Sequence, residues 1–371
     1  MAEKKTRALF EEAGAEATDT PVTPGQANAE KSANRGRIRL WQFVLAALVV
    51  LIVVVGGMTR LTDAGLSITE WNLVTGVLPP LSAEGWLSEF AKYQKIPEFE
   101  LNKPTMDEFK VIYWWEWGHR FLGRIIGLAF IIPFALMYFR KTIPAGWTKR
   151  LLIPGILIGL QGVIGWWMVS SGLAGSDRVD VAPYRLALHL GLARVIFCLL
   201  VWNVFCLSHE EHELLAARRR RFKPQLGFGG LTVMLIFVQV LCGAMVAGLD
   251  AGRGYTDWPL MQGSFLPPDD TPEAIWQFIH RMVGYLVIIV VGVFWWKGRS
   301  TGHRDVKFWS LVAVLWAFAQ VFWGIITLIG GAQWYHAITH QLGAVVLLWV
   351  MMRAMFEIAY PNEQKIARAH E

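Results

Sequence analysis

Eight stretches of the sequence are apolar over about the 20 residues that a helix needs to cross the hydrocarbon core of a membrane. They lie at 39–58, 118–139, 151–171, 184–207, 229–248, 278–296, 307–329 and 335–356. Hydrophobic residues make up 54% of the chain and charged residues only 17%, which argues against a soluble globular protein. Because a helix satisfies its own backbone hydrogen bonds in lipid, the sequence predicts an all-α integral membrane protein with eight transmembrane helices.

The chain also repeats itself. Residues 56–80 read GGMTRLTDAGLSITEWNLVTGVLPP, and residues 243–268 read GAMVAGLDAGRGYTDWPLMQGSFLPP. Further on, WEWGHRFLG returns as WQFIHRMVG. The single residues that correspond are His119 with His280, Gln161 with Gln320, Gly165 with Gly324 and His189 with His340. Features that recur in one order indicate an internal duplication, so we expect two tandem four-helix bundles.

The distribution of charge predicts the orientation of these bundles. Lys and Arg concentrate before the first span and in the loops after the even-numbered spans, whereas the loops at 59–117, 172–183, 249–277 and 330–334 are balanced or acidic. The positive-inside rule therefore places both termini in the cytoplasm, in a multi-pass protein of the inner (cytoplasmic) membrane. This bias accounts for the net charge of +6, and no nucleic-acid partner is needed.

These observations divide the chain into five parts. The first is a polar N-terminal tail that lacks hydrophobic periodicity and is predicted to be disordered. The full division is 1–38 as this cytoplasmic tail, 39–208 as the first four-helix half, 209–228 as a basic cytoplasmic linker, 229–356 as the second half, and 357–371 as a cytoplasmic C-terminal tail.

Four histidines fall near the outer ends of even-numbered spans, two in each half: His119, His189, His280 and His340. Two imidazoles at similar depth on different helices suit the two axial positions of a haem iron. Four residues after each histidine, on the same helical face, stands a small residue: Gly123, Ala193, Gly284 and Ala344. Such residues leave clearance for a flat macrocycle, although they also serve helix packing in membranes. The pattern predicts one haem site per half, in the outer half of the membrane.

The remaining histidines carry less information. His209, His212, His303 and His370 lie in predicted cytoplasmic segments and are interpreted as surface residues. His336 stands one turn before His340, where solvation of the helix end or a secondary haem contact is favoured over metal chelation.

Glu116 is where the two halves differ most. It lies one turn before His119, and the matching residue of the second half is Gln277. Thr105 and Glu108 have the spacing of a capping box, so we expect a helix to begin there and to reach Glu116 above the membrane. A carboxylate beside one haem and an amide beside the other suggest that only the first site carries out chemistry. An interfacial glutamate with ordinary solvation is the alternative.

Arginines accompany the histidines. Arg120 and Arg281 directly follow His119 and His280, and Arg185 lies one turn before His189. Their guanidinium groups could pair with haem propionates or extend to the membrane interface, and both interpretations stay open. The acidic residues of the repeated D-A-G and T-[ED]-W turns are expected to fold the loops over the bundle rather than to catalyse a reaction.

The chain resembles haem A synthases. The residues that carry the resemblance are GGMTRLTDAGLSITEW, V-L-P-P, WEWGHRFLGR, Gln161 with Gly165, FIHRMVGY and ITHQLGA, in order across residues 40–356. The chain is most similar to the group found in mitochondria and related bacteria. Another group carries cysteine pairs in outer loops, whereas Cys198, Cys206 and Cys242 all fall in predicted spans.

The resemblance implies an oxidoreductase that converts the C8 methyl of haem O to a formyl group, through a hydroxymethyl intermediate, and so makes haem A for terminal oxidases. It implies that His119 and His189 flank the substrate haem O and that Glu116 is the essential carboxylate. It further implies that His280 and His340 ligate a permanent haem b.

Two other functions stay open from the residues alone, a two-haem electron-transfer cytochrome and a haem carrier or chaperone. The electron donor is not identified by the sequence. Contacts with the haem O-producing enzyme, with oxidase assembly factors and with further copies of this chain are left open as well.

Overall fold

The computed structural model describes residues 24–363 except 174, 176 and 177, with side chains from residue 31 onward. The described residues form eleven α-helices and no strand. The helices are α1 (Pro24–Leu61), α2 (Ala83–Tyr93), α3 (Pro97–Asn102), α4 (Met106–Phe139), α5 (Thr148–Val169), α6 (Pro183–Leu207), α7 (Glu211–Arg219), α8 (Lys223–Gly248), α9 (Pro272–Arg299), α10 (Arg304–Ile329) and α11 (Trp334–Ala359).

Eight of these helices are long and apolar enough to cross a membrane: α1, α4, α5, α6, α8, α9, α10 and α11. Each overlaps one of the apolar stretches of the sequence. The prediction of an all-α, multi-pass membrane protein with eight spans is therefore confirmed for the described part of the chain.

Several boundaries differ from the predicted ones. Residues 24–38, expected in a disordered tail, are the first turns of α1, and residues 1–23 lie outside the described residues. The basic linker predicted at 209–228 is largely helical, because it contains α7 and the start of α8. The first turns of α1 and the helix α7 are rich in charged and polar residues, so a search for apolar stretches does not find them. α11 continues through Ala359, and residues 364–371 lie outside the described residues.

The start of α4 agrees with the sequence. Thr105 is its N-cap, and its side chain accepts a hydrogen bond from the backbone N–H of Glu108. In return, the Glu108 carboxylate accepts one from the Thr105 N–H at 2.8 Å. The predicted capping box is confirmed, and α4 begins several turns before His119.

The long helices pack as two groups of four. α1, α4, α5 and α6 contact one another, as do α8, α9, α10 and α11. α6 packs against α1 and α5 in its own half and against α8 and α11 in the other. α6 and α11 are the most buried spans. We call the contact of α6 and α1 with α8 and α11 the seam.

The connections after α1, α5, α8 and α10 lie at one end of the helices, which we call the loop end. Here Arg60, the last basic residue of α1, joins both repeated D-A-G turns. Its guanidinium lies 2.8 Å from the carboxylate of Asp63 and 2.5 Å from that of Asp250. Both aspartates have left-handed backbone conformations, with φ values of 49° and 52°. The loops of the two halves are thus tied together by one cation.

The long connection between α1 and α4 has its own small core. Aromatic side chains of α2 and α3 pack on the start of α4, where the Tyr93 and Phe109 ring centroids are 5.2 Å apart. Glu98 of α3 is buried beneath this layer at 4% exposure, and its Oε2 atom has no hydrogen-bond partner. Burial, with a smaller contribution from the nearby Asp180 carboxylate, raises the pKa of Glu98 to about 8.

This carboxyl should make the α2–α3 segment sensitive to pH. The folded-state pKa lies above that of a glutamate in an unfolded segment, about 4.3, so the folded segment binds the extra proton. The stability that this proton contributes is complete below pH ~4.3 and is lost as the pH rises to about 8. We expect limited proteolysis within residues 83–102 to accelerate between pH 6 and 8.5 in the wild type, and Glu98→Gln to remove most of that acceleration. Glu100→Gln, an exposed change on the same helix, is the control. A Glu98→Gln profile that parallels the wild type would contradict this account.

Candidate functional site

The four histidines of the repeat come together as two pairs. The ring centroids of His119 on α4 and His189 on α6 are 6.5 Å apart, and those of His280 on α9 and His340 on α11 are 6.4 Å apart. Two imidazoles that bind one iron from opposite sides, each through a bond of about 2 Å, have ring centroids roughly 6.3 Å apart. Both pairs therefore have the spacing of a six-coordinate haem iron.

Each imidazole rests on a glycine of a neighbouring helix. A Cβ atom added to Gly56 would lie 2.6 Å from Cε1 of His119, and one added to Gly243 would lie 3.0 Å from Cε1 of His280. The corresponding distances are 2.9 Å from Gly165 to His189 and 2.8 Å from Gly324 to His340. A side chain at any of these positions would push the ring out of place. The four glycines therefore form cradles that fix the imidazoles from behind.

Glutamines hold the main chain of three of the histidines. The carbonyl oxygen of His189 accepts a hydrogen bond from Gln161 Nε2 at 2.9 Å, that of His340 from Gln320 at 2.7 Å, and that of His280 from Gln239 at 2.9 Å. Gln320 Nε2 also lies 3.1 Å from Nδ1 of His340. Gln239 stands four residues before Gly243, where the first half has Ile52 before Gly56. The second pair is thus held by more hydrogen bonds than the first.

The ring nitrogens are free to bind a ligand. Among the described residues, no hydrogen bond engages Nε2 of any of the four rings, and Nδ1 of His119, His189 and His280 is buried without a partner. Orphaned buried nitrogens are costly unless a bound group satisfies them. The spacing, the cradles and these nitrogens all fit a haem held by two histidines in each half.

The small residues four positions after the histidines do not all leave space for a macrocycle. A Cβ atom added to Gly123 would lie 3.7 Å from the Ile52 side chain of α1. One added to Gly284 would lie 3.1 Å from the Gln239 side chain of α8. Ala193 is buried in the core that joins α1, α6 and α11. These three residues allow close helix packing, the alternative considered above.

Glu116 is buried at 2% exposure, which excludes the ordinary solvation of an interfacial glutamate. One carboxylate oxygen accepts hydrogen bonds from the Ser67 hydroxyl and the Ile68 N–H, both at 2.7 Å. The other accepts from Arg120 at 2.5 Å. The carboxylate therefore fastens the loop after α1 onto α4, one turn from His119.

The second half repeats this fastening with an amide. Gln277, also 2% exposed, donates to the carbonyl oxygens of Ala251 at 2.8 Å and Tyr255 at 3.1 Å. Its own oxygen accepts from Arg281 at 3.0 Å. The loop offers donors to the carboxylate in one half and acceptors to the amide in the other, so the two positions share an architecture and differ in charge.

The three arginines have protein partners. Arg120 donates to the carbonyl oxygens of Ile68 and Glu70, and Arg281 donates to those of Tyr255 and Leu260. Arg185 donates to the Trp167 carbonyl at 2.7 Å and lies over the Trp167 ring. Their predicted contacts with haem propionates stay predictions.

Sequence reasoning missed the cradle residues Gly56 and Gly243 and the asymmetric Gln239. A signal existed for the glycines, because they are the first residues of the two repeated segments and occupy matching positions in them. Glycine is so common in apolar helices that its role follows only from the position of the imidazole.

The fold and the site define a class, a multi-pass membrane protein with two buried histidine pairs, each spaced for one haem iron. Comparison with known sequences places the chain within that class. It belongs to the family described as cytochrome oxidase assembly protein (COX15-CtaA), which it matches over residues 39–352.

Relatives in this family are similar over nearly their whole length. The chain is 48% identical to the haem A synthase of Dinoroseobacter shibae, over 96% of this chain and 97% of the relative. It is 46% identical to that of Ruegeria pomeroyi, with the same coverage, and 44% identical to that of a strain of Cereibacter sphaeroides, over 99% of both chains. The resemblance seen in the sequence is confirmed.

The cradles can be tested without changing any ligand. Gly324→Ala places a methyl group against the His340 ring, so we expect the purified protein to lose the haem for which the second pair is spaced. Gly230→Ala, on α8 where an added Cβ meets open space, should retain it. The measurement is haem per protein by pyridine haemochrome spectra. Equal haem content in the two variants would show that the cradle does not position the ring.

Proposed function

We propose that this chain oxidises the C8 methyl group of haem O to a formyl group, by way of a hydroxymethyl intermediate, and so produces haem A. Membership of the family and the names of its relatives support the reaction. The observation that carries the assignment of the active half is the contrast between Glu116 and Gln277. They occupy matching buried positions beside the two histidine pairs, and only Glu116 carries an acidic group.

In this proposal His119 and His189 flank the substrate haem O, whereas His280 and His340 ligate a permanent haem b. The second pair is the better held, because Gln239 and Gln320 bind its main chain and Gln320 also reaches the His340 ring. Outer-shell hydrogen bonds of this kind orient metal ligands and strengthen binding. The helices also differ, since α9 packs closely against α10 while α4 and α5 contact one another sparsely. A loosely packed half suits a haem that must enter and leave.

The chain's residues would bind, orient and exchange protons, while the bound haems would supply the redox chemistry. The cradle glycines fix the imidazoles, and the loop fastened by Glu116 and Arg120 covers the first site. Glu116 would take up a proton as the methyl group is oxidised, a role worth typically about 10²–10⁴-fold in rate. The Ser67 hydroxyl, which donates to this carboxylate at 2.7 Å, holds it in place against the loop.

The charge distribution supports a location in the inner membrane with both termini in the cytoplasm. The loop end and both histidine pairs would then lie in the outer half of the membrane. The haem b that His280 and His340 would hold would supply one-electron redox chemistry, and the reaction would also require an electron donor.

Replacing single histidines should separate the two sites. We expect His280→Ala and His340→Ala to lower the b-type haem content of the purified protein. His119→Ala and His189→Ala should retain much of that haem and lose haem A after co-expression with a source of haem O. Equal loss of haem b from all four variants would refute the assignment of the two halves.

Replacing Glu116 tests whether the chain is an enzyme or an electron-transfer cytochrome. Glu116→Gln keeps the shape of the side chain and one carbonyl oxygen to accept from the Ser67 hydroxyl and the Ile68 N–H. We therefore expect Glu116→Gln to fold and to retain haem b, with haem A reduced by about 10²-fold or more. The measurement is haem A per protein, by chromatography of extracted haems.

Two controls isolate the carboxylate. Ser67→Ala removes a loop bond but leaves the carboxylate in place, so it should lower haem A far less than Glu116→Gln does. Gln277→Glu should not create a second active site. Near-normal haem A in Glu116→Gln would leave the carboxylate with the fastening role alone.

A further inference from the structure

Among the buried charged side chains of the described spans, Arg194 alone has no hydrogen bond or ion pair. Arg194 of α6 is 1% exposed and is the largest fully buried side chain. Its Nε atom is buried without an acceptor, and within the described part of the chain no hydrogen bond or ion pair engages Arg194. The titratable group that interacts with it is the neutral thiol of Cys198, one turn further along α6. Arginine stays protonated in proteins. The structure therefore holds a bare positive charge inside the membrane-spanning region.

Arg194 lies at about the depth of the haem ligands. It follows His189 by five residues, roughly 7.5 Å along α6. Long side chains on a helix lean back toward its N-terminus, which brings the guanidinium toward the level of His189. The histidine itself is about 140° away around the helix, so Arg194 points away from the first pair.

That side of α6 faces the second half. Gly191, one turn before Arg194, meets Leu241 and Phe237 of α8, where an added Cβ would lie 2.8 and 3.4 Å away. Two residues beyond Leu241 stands Gly243, the cradle of His280. Arg194 thus lies in the seam, with the first histidine pair on one side of α6 and the second pair beyond α8.

The second half has an apolar residue at the matching position. Val345 occupies the corresponding position in the second half, five residues after His340, and it is buried at 4% exposure in an apolar core. A buried cation without a counter-ion destabilises a fold, and ionisable groups inside membranes are functional candidates for that reason. Only one member of the pair carries the charge, so its effect concerns something other than packing.

We infer that Arg194 is a fixed positive charge that raises the reduction potentials of the haems on either side of the seam. The inference rests on the proposed haem sites. Reduction of ferric to ferrous haem adds one electron and no proton, so a nearby cation stabilises the reduced form. In a low-dielectric interior without screening ions, that stabilisation extends across the width of a helix. Arg194 would then set the reduction potentials that govern electron transfer between the two proposed haems.

The test is a redox titration of the purified, full-length protein, followed at the α-band of its b-type haem. Arg194→Met keeps most of the apolar stem and removes the charge, so we expect the midpoint potential to fall. Arg194→Lys should stay close to the wild type. Arg39→Met removes an exposed cation from α1, where solvent screens it, and should leave the potential nearly unchanged.

Thermal unfolding separates this role from a structural one. Removing an unpaired buried cation should leave the unfolding temperature unchanged or raise it, whereas loss of a structural contact would lower it. Arg194→Gln is a second neutral variant, to be used if Arg194→Met loses its haem. A potential equal to the wild type in a neutral variant, or an equal fall in Arg194→Lys, would overturn the inference. Failure of the proposed function is recognised separately, because the wild type would then lack a bis-histidine haem spectrum or would form no haem A.

Discussion

Polar groups that a helix carries into lipid have to find their partners within the protein, and this constraint organises both sites. The glutamines of α5, α8 and α10 satisfy their donors on the main chain of the histidines. The arginines that follow His119 and His280 satisfy theirs on loop carbonyls. The buried atoms without a partner are informative, because among the described residues they include Nδ1 of His119, His189 and His280 and Nε of Arg194. The proposed haems would satisfy the imidazole nitrogens, and the proposed tuning of their reduction potentials gives Arg194 a role.

The two halves share one arrangement of helices and histidines but differ in the residues around the histidines. In both, an imidazole rests on a glycine and a residue one turn earlier fastens a loop. The second half adds Gln239 and tighter packing of α9 on α10, and the first half replaces the neutral Gln277 with the carboxylate of Glu116. A site that is held more firmly suits a resident cofactor. A site with a proton-exchanging group and looser walls suits a substrate.

Most of the architecture was predictable from the sequence, because lipid leaves few choices. Apolar stretches of the right length must be helices, and the capping box at Thr105 marked the start of α4 correctly. The pairing of the histidines followed from their depth and their order in the repeat. The prediction failed where local chemistry departs from apolarity. The polar first turns of α1 and the charged α7 both lie in segments that were interpreted as a tail or a linker.

The details of the site were less accessible for a different reason. Which glycine supports which imidazole depends on how helices distant in sequence are rotated against one another. The partners of Glu116 were equally hidden, since Ser67 and Ile68 lie almost fifty residues earlier in a loop. In the sequence Arg194 is one basic residue in an apolar run. Its burial without a hydrogen bond or ion pair is visible only in the structure.

Arg60 has a consequence for motion. Because one guanidinium binds Asp63 in the first loop and Asp250 in the second, neither loop can lift from the bundle without breaking a charged contact that it shares with the other. The loops of the two halves are therefore linked to each other through one guanidinium group. A displacement of either loop would therefore disturb a contact of the guanidinium that also holds the other loop, at the end of the protein where both pairs of imidazoles lie.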